Sequence, residues 1–322
     1  MSTAPFLDVV RPDLERVEAT LHSVMNVEYP LLANILNDLF SRGGKRLRPA
    51  VVFLAAGFGP YDAAKLTYLA TAVEMTHTAT LVHDDLIDNS LLRRGSPTVN
   101  TLWHGGIVVL VGDYLFAKAA ELCAQVEMVS IGRLFAQTLA IITDGELRQA
   151  FTARSVQAAE EDYYQWIYAK TASLFAASAE AGAIMSEQPP KAQANLRAYG
   201  RNLGMAFQVV DDILDFVGDE SELGKPVGSD LRQGTVTLPT IFYLQDHPGD
   251  EDVQHVLNGM AEDESHVARV IQTIHDSPAI PRAYERARAF VAAACGALDG
   301  FPDNTHRRAM IALAENSVER KK

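Results

Sequence analysis

Cysteine is scarce: Cys123 and Cys295 are the only two in 322 residues. They lie far apart in Ala-rich helical context, which argues against a disulfide or a thiolate metal site and for small packing residues. Long apolar runs are also missing. No stretch of eighteen uncharged apolar residues occurs, and the opening segment MSTAPFLDVVRPDLERVEA lacks the basic-then-apolar plan of a secretory signal. The expectation is a cytoplasmic protein with no stable membrane anchor. Positive charge is in short supply, with 28 Lys and Arg against 41 Asp and Glu and a formal net charge of −13. So acidic a chain is a poor partner for nucleic acid or an anionic bilayer, and the cations that matter must act locally.

What the chain does have is helical patterning from end to end. Hydrophobic residues make up 48% of it, and the length suits one large core, so the expected fold class is all-α, a single domain over 1–322. Two stretches stand out. Leu81-Val82-His83-Asp84-Asp85-Leu86-Ile87-Asp88 is echoed by Val209-Val210-Asp211-Asp212-Ile213-Leu214-Asp215. In each, carboxylates occupy positions one, two and five of an apolar run, so on a helix turning about 100° per residue they fall within an arc of roughly 100°. Apolar flanks draw such helices into a core while ionised carboxylates resist leaving water, so a cation is expected to lie between the two triads. Oxygen donors with no thiolate or imidazole at comparable spacing favour a hard cation. Magnesium fits best, because it shares itself between one or two carboxylates and substrate phosphates.

Taken in order, Pro12 to Phe40 reads as amphipathic helix broken near Tyr29-Pro30. Gly43-Gly44-Lys45-Arg46-Leu47-Arg48-Pro49 follows as a turn into a helix that Pro49 can begin, with Lys45 and Arg48 near an anion-favouring N-terminus. Asp62 can cap a helix reaching Asp88, 27 residues or about 40 Å, apolar or small on nearly every side and hence central. His77 lies two turns before Asp84 on the same face. Arg93 and Arg94 leave the first motif as an exit loop and, diverging by about 100° on a helix, can grip two different anions. Gly112 is expected to open the next helix, and Thr143 to Gln149 to interrupt the one after. Asp162 to Ala183 is helical, with Lys170-Thr171 amid apolar neighbours. Ser186 to Pro190 is a break. Gln208 sits on the carboxylate side of the second motif. Gly218 to Pro239, glycine-rich and holding Lys225, is a candidate lid. Arg320-Lys321-Lys322 reads as a solvated tail.

The succession GGKRLRP, LVHDDLID with RRG, KT, FQVVDDILD and GKPVGSD resembles the all-trans polyprenyl diphosphate synthases over nearly the entire chain. That resemblance implies an all-helical bundle of the isoprenoid synthase type with a central cavity. It implies a homodimer that joins isopentenyl diphosphate to an allylic diphosphate such as dimethylallyl, geranyl, farnesyl or geranylgeranyl diphosphate. It further implies that Asp84, Asp85, Asp88, Asp211, Asp212 and, less directly, Asp215 hold about three magnesium ions on the allylic diphosphate. Arg93, Lys170 and Lys225 would contact that diphosphate, Lys45, Arg48, His77 and Arg94 the isopentenyl diphosphate, and Thr171 and Gln208 the developing allylic cation. The chain departs from the family pattern at Thr235, where a lysine is frequent. Two rivals stand beside this reading. A terpene cyclase would not repeat DDxxD and has no use for Lys45, Arg48 and His77. A non-catalytic partner subunit of a heteromeric synthase sits poorly with two intact aspartate motifs.

Product length turns on Ala79 and Thr80, five and four residues before Asp84 on the side where a tail would descend. Both are small. A growing tail gains roughly 0.8 kcal/mol per buried methylene-sized group, so affinity alone does not stop elongation and a steric floor must. With none at the first turn, the expected product is of geranylgeranyl length or longer. Ala79→Phe is expected to shorten the product; an unshifted chromatogram of the extracted prenols contradicts this.

Overall fold

In the computed structural model, the described residues are 5–41, 43–93, 96–152, 160–218, 226–261 and 263–320. The architecture is all-α. Along the chain come α1 (Arg11–Met25), α2 (Pro30–Ser41), α3 (Leu47–Ala56) and α4 (Ala63–Ile87), then a two-stranded hairpin of β1 (Leu92–Arg93) and β2 (Ser96–Pro97). They are followed by α5 (Val99–Leu102), α6 (Gly105–Ala124), α7 (Val129–Thr152), α8 (Glu160–Ile167), a π-helical turn over Tyr168–Ala172, α9 (Ser173–Met185) and α10 (Pro190–Val217). The C-terminal helices are α11 (Ser229–Arg232), α12 (Leu238–Asp246), α13 (Glu251–Leu257), α14 (Glu264–His275), α15 (Ala279–Gly296) and α16 (Thr305–Glu319). Among the described residues no helix is long and apolar enough to cross a membrane.

By its internal contacts the chain forms two compact units, one of Met1–Leu139, Leu174–Gly200 and Ala297–Leu313, the other of Ala140–Ser173, Arg201–Gly296 and Ala314–Lys322. In the first unit α4 is the centre. Its start is fixed by Asp62, whose carboxylate accepts from the backbone N–H groups of Ala64 and Lys65, both at 3.1 Å. Leu66, Leu69, Ala70, Val73, Met75, Ala79 and Val82 are buried on successive faces, as the absence of a polar side predicts. Its buried hydroxyls are satisfied within the helix: Thr67, Thr71 and Thr76 donate to the carbonyls of Ala63, Thr67 and Ala72. α3 begins at Leu47, two residues before Pro49, because Arg46 takes the left-handed turn at φ 49° and leaves Pro49 inside the first helical turn.

Two glycines act differently from expectation. α6 starts at Gly105, and Gly112 lies inside it, buried, where a Cβ would come 2.1 Å from His83 Nε2. Gly112 therefore admits the His83 ring, which lies 3.1 Å from the Val109 carbonyl oxygen. α7 likewise runs unbroken through Thr143–Gln149. In the second unit, Gly145 lets Ala169 approach to where a Cβ would be 2.3 Å from the Ala169 methyl. That unit's core gathers Tyr163, Ile167, Val209, Val210, Ile213 and Phe216 with Phe242, Val270 and Ile274.

A close helix approach in the first unit is at Gly182 of α9, where a Cβ would stand 2.3 Å from the Val52 carbonyl oxygen and 2.9 Å from the Ala55 methyl. The obstacle is backbone and cannot swing away. Gly182→Ala is expected to cost about 1–3 kcal/mol by overpacking, read as a lower denaturation midpoint with the helical circular dichroism retained; an unchanged midpoint contradicts it.

Candidate active site

Each unit holds its own set of candidate residues. In the first, the GGKRLRP segment separates three cations by environment. Lys45 is exposed. Arg46 is buried, its Nε 2.6 Å from Glu18 Oε1 and its Nη1 2.7 Å from Glu74 Oε1. Burial opposes its charge, but the hydrogen bond to Glu18 and the charge of Glu74 outweigh that and raise its pKa. Arg46 thus serves the fold. Arg48 lies with its guanidinium carbon 4.4 Å from the centroid of Phe175, and its buried Nε finds no hydrogen-bond partner among the described residues. Burial pushes its pKa down to about 10, with Glu74 partly offsetting. It remains a cation at neutral pH, with a donor to spare for an anion.

The first aspartate motif occupies the last turn of α4, with Asp88 as its C-cap. A helix C-terminus already carries partial negative charge, so carboxylates placed there are poorly tolerated without a cation. Asp85 is 6% exposed, Asp84 is half-buried and Asp88 is exposed. Thr80 donates to the His77 carbonyl at 2.8 Å, and Ala79 is fully buried. Arg93 is the last residue of β1, so the exit from the motif is a hairpin where a plain loop was expected. Arg94 lies outside the described residues, as do Lys225 and the candidate lid's residues 219–224.

In the second unit the motif divides. Asp211 keeps 56% of its side chain exposed and lies 3.4 Å from Arg320 Nη2. Asp212 is 2% exposed, one oxygen accepting from the Tyr163 phenol at 2.6 Å and the other from Gln208 Nε2 at 2.8 Å. Asp215 is 1% exposed and accepts from the Asp230 backbone N–H at 3.0 Å, while its carbonyl accepts from Gly228 N at 2.7 Å. It anchors the described part of the candidate lid at Gly228 and Asp230. Burial, with Asp230 nearby, drives the Asp212 carboxyl well above the ordinary carboxylate range. Gln208 Oε1 accepts from Thr171 Oγ1 at 2.7 Å, and Lys170 Nζ lies 3.2 Å from Glu146 Oε1. Both Lys170 and Thr171 belong to the π-helical turn, an insertion frequent at functional sites.

Arg320 corrects the reading of the C-terminus as a solvated tail. Its side chain is 9% exposed, donates to the Phe207 carbonyl at 2.6 Å and stacks 3.8 Å over the Phe207 ring. The Phe207 ring covers it, which no charge pattern at the chain end could reveal. Tyr163 and Glu146 were not singled out from sequence either. Tyr163 lies on α8, just before the π-helical turn that holds Thr171, and Glu146 lies in the unbroken part of α7.

Among the described residues no group of three or more His, Cys, Asp or Glu side chains is placed to hold a metal ion unaided. This donor set fits magnesium bound together with a phosphorylated ligand: a few hard oxygens from the protein, the rest from phosphate and water.

A family model described as polyprenyl synthetase matches residues 29–274. The chain belongs to the polyprenyl synthetase family. It is 36% identical over 326 residues to solanesyl-diphosphate synthase 2, chloroplastic, of Oryza sativa subsp. japonica, covering 99% of this chain and 80% of that one. To heptaprenyl diphosphate synthase component 2 of Geobacillus stearothermophilus it is 39% identical over 302 residues, 94% of each chain. The polyprenyl synthase of Caulobacter crescentus CB15, solved with calcium and isoprenyl diphosphate, superposes with a TM-score of 0.94 at 34% identity, covering 98% of this chain and 97% of that one. The family's all-α isoprenoid synthase fold is therefore the fold of this protein.

The contrast between neighbouring cations is open to test. Arg46→Met leaves Glu18 and Glu74 without their buried partner and is expected to cost about 3–5 kcal/mol, whereas Lys45→Ala on the surface shifts stability by less than about 1 kcal/mol. Equal denaturation midpoints for the two variants contradict the assignment.

Proposed function

We propose that this chain is a magnesium-dependent prenyltransferase that condenses isopentenyl diphosphate with an allylic diphosphate, giving an all-trans polyprenyl diphosphate of geranylgeranyl length or longer. Both units serve this one activity, in line with a family match that runs through both. The observation that carries the reading is the second motif, where an exposed Asp211 adjoins a buried Asp212 tied to Gln208 and Thr171.

In this reading Asp84, Asp85, Asp88 and Asp211 hold the metal, while Asp212 and Asp215, whose carboxylates already accept protein donors, orient the site. Magnesium, when bound, supplies positive charge against the leaving diphosphate. Arg93, Lys170 and Lys225 grip the allylic diphosphate, and Lys45, Arg48, His77 and Arg94 the isopentenyl diphosphate. Such a fixed field stabilises charge as it separates. The allylic carbon–oxygen bond breaks with its electron pair leaving on diphosphate. The double bond of the second substrate then forms the new carbon–carbon bond, and a proton passes to the released diphosphate. Thr171 and Gln208 stand beside the transient carbocation. The stretch holding Lys225 keeps water from quenching it.

A homodimer is part of the proposal. Leu110 on α6 and Val129 at the start of α7 are 67% and 81% exposed, large apolar side chains that a second copy would cover. The similarity to a protein named as one component of a heptaprenyl synthase keeps a second reading alive, in which the chain needs a different partner.

The purified chain alone, given magnesium, labelled isopentenyl diphosphate and farnesyl diphosphate, is expected to incorporate label into products of geranylgeranyl length or longer, and to stop when the metal is chelated. Consumption of the allylic substrate alone overturns the proposal in favour of a cyclase. No turnover until a partner chain is added supports the heteromeric reading.

A further inference from the structure

Two buried serines that follow Thr171 in the chain bond back one helical turn: Ser173 donates to the Ala169 carbonyl at 2.7 Å and Ser178 to that of Leu174 at 2.6 Å. Thr171, 7% exposed, instead donates across to Gln208. The direction of that bond follows from the rest of the chain of contacts. The Tyr163 phenol donates to Asp212 Oδ2 at 2.6 Å, which leaves that oxygen in the role of acceptor. The other Asp212 oxygen takes the amide N–H of Gln208 at 2.8 Å, which turns the amide oxygen toward Thr171. A hydroxyl has one proton. With that proton committed to Gln208, Thr171 Oγ1 has only lone pairs left to offer.

We propose that Tyr163 and Asp212 are positioning residues that fix the polarity of the Thr171–Gln208 hydrogen bond, so that Thr171 presents lone pairs and not a proton to positive charge developing on the allylic carbon. This rests on the prenyltransferase reading and adds to it a task for Tyr163, and for Asp212 one other than metal ligation. If the amide were reversed, Gln208 would donate to Thr171, and the threonine proton would point its partial positive charge at the cation.

The test is a double-mutant cycle on the full chain with Tyr163→Phe and Thr171→Val. Tyr163→Phe is expected to lower kcat about tenfold with both KM values within about twofold, Thr171→Val to lower it by about as much or more, and the double variant to be no slower than Thr171→Val alone. Denaturation midpoints taken alongside separate a general structural loss, which adds in both backgrounds. Should Tyr163→Phe not fold, Gln208→Leu repeats the cycle, since its side chain can neither donate to Asp212 nor accept from Thr171. Multiplicative losses of about a hundredfold, or an unchanged kcat in Tyr163→Phe, overturn the proposal while the function stands. A wild-type chain that condenses nothing removes the function and the proposal together.

Discussion

Withdrawing a carboxylate from water is costly unless donors or a cation meet it, and that cost organises the second unit. Asp212 is met by a phenol and an amide, and through them it fixes Tyr163, Gln208 and finally Thr171. Its neighbour Asp211 is left outward, half exposed, with an arginine beside it. One motif thus yields two kinds of aspartate, one satisfied by protein donors and one open to a cation. The first motif repeats the asymmetry, with Asp85 buried and Asp88 exposed at a helix end that already favours positive charge.

The basic residues divide in the same way. Arg46 is held between Glu18 and Glu74 and shapes the fold, while Arg48, two residues on, stacks on Phe175 with a donor unspent. A left-handed residue at Arg46 separates them, turning one guanidinium into the ion-pair cluster and the other toward the aromatic ring. Arg320 gives Asp211 a cationic companion yet leaves its carboxylate more than half accessible. That pairing is consistent with a position that attracts positive charge.

Much of this was legible in the sequence, and the reasons are local. Asp62 as a cap and an all-apolar run placed α4 to within a residue or two, and the Tyr29-Pro30 and Ser186–Pro190 breaks fall between helices. The burial of Asp212 was readable in principle, since it lies at helical spacing between Val209 and Phe216, both in the core. Other features depend on partners distant in the chain. Asp215 is buried because the backbone at Asp230 returns to it. Gly112 reads as the start of a helix and Gly145 as part of an interruption, but both are clearances, for His83 and Ala169. The π-helical turn at Lys170-Thr171 carries no compositional mark. Arg320 looks like any charged terminus until Phe207 covers it.

The claim that the second motif splits into one metal-facing and one protein-facing aspartate can be seen directly. Crystals grown with manganese and a non-ionisable allylic diphosphate analogue, measured at the manganese edge, are predicted to show an anomalous peak within coordination distance of Asp211, with Asp212 still bonded to Tyr163 and Gln208. A peak bridging to Asp212, with the phenol displaced, or no metal at Asp211 in the liganded crystal, contradicts the account.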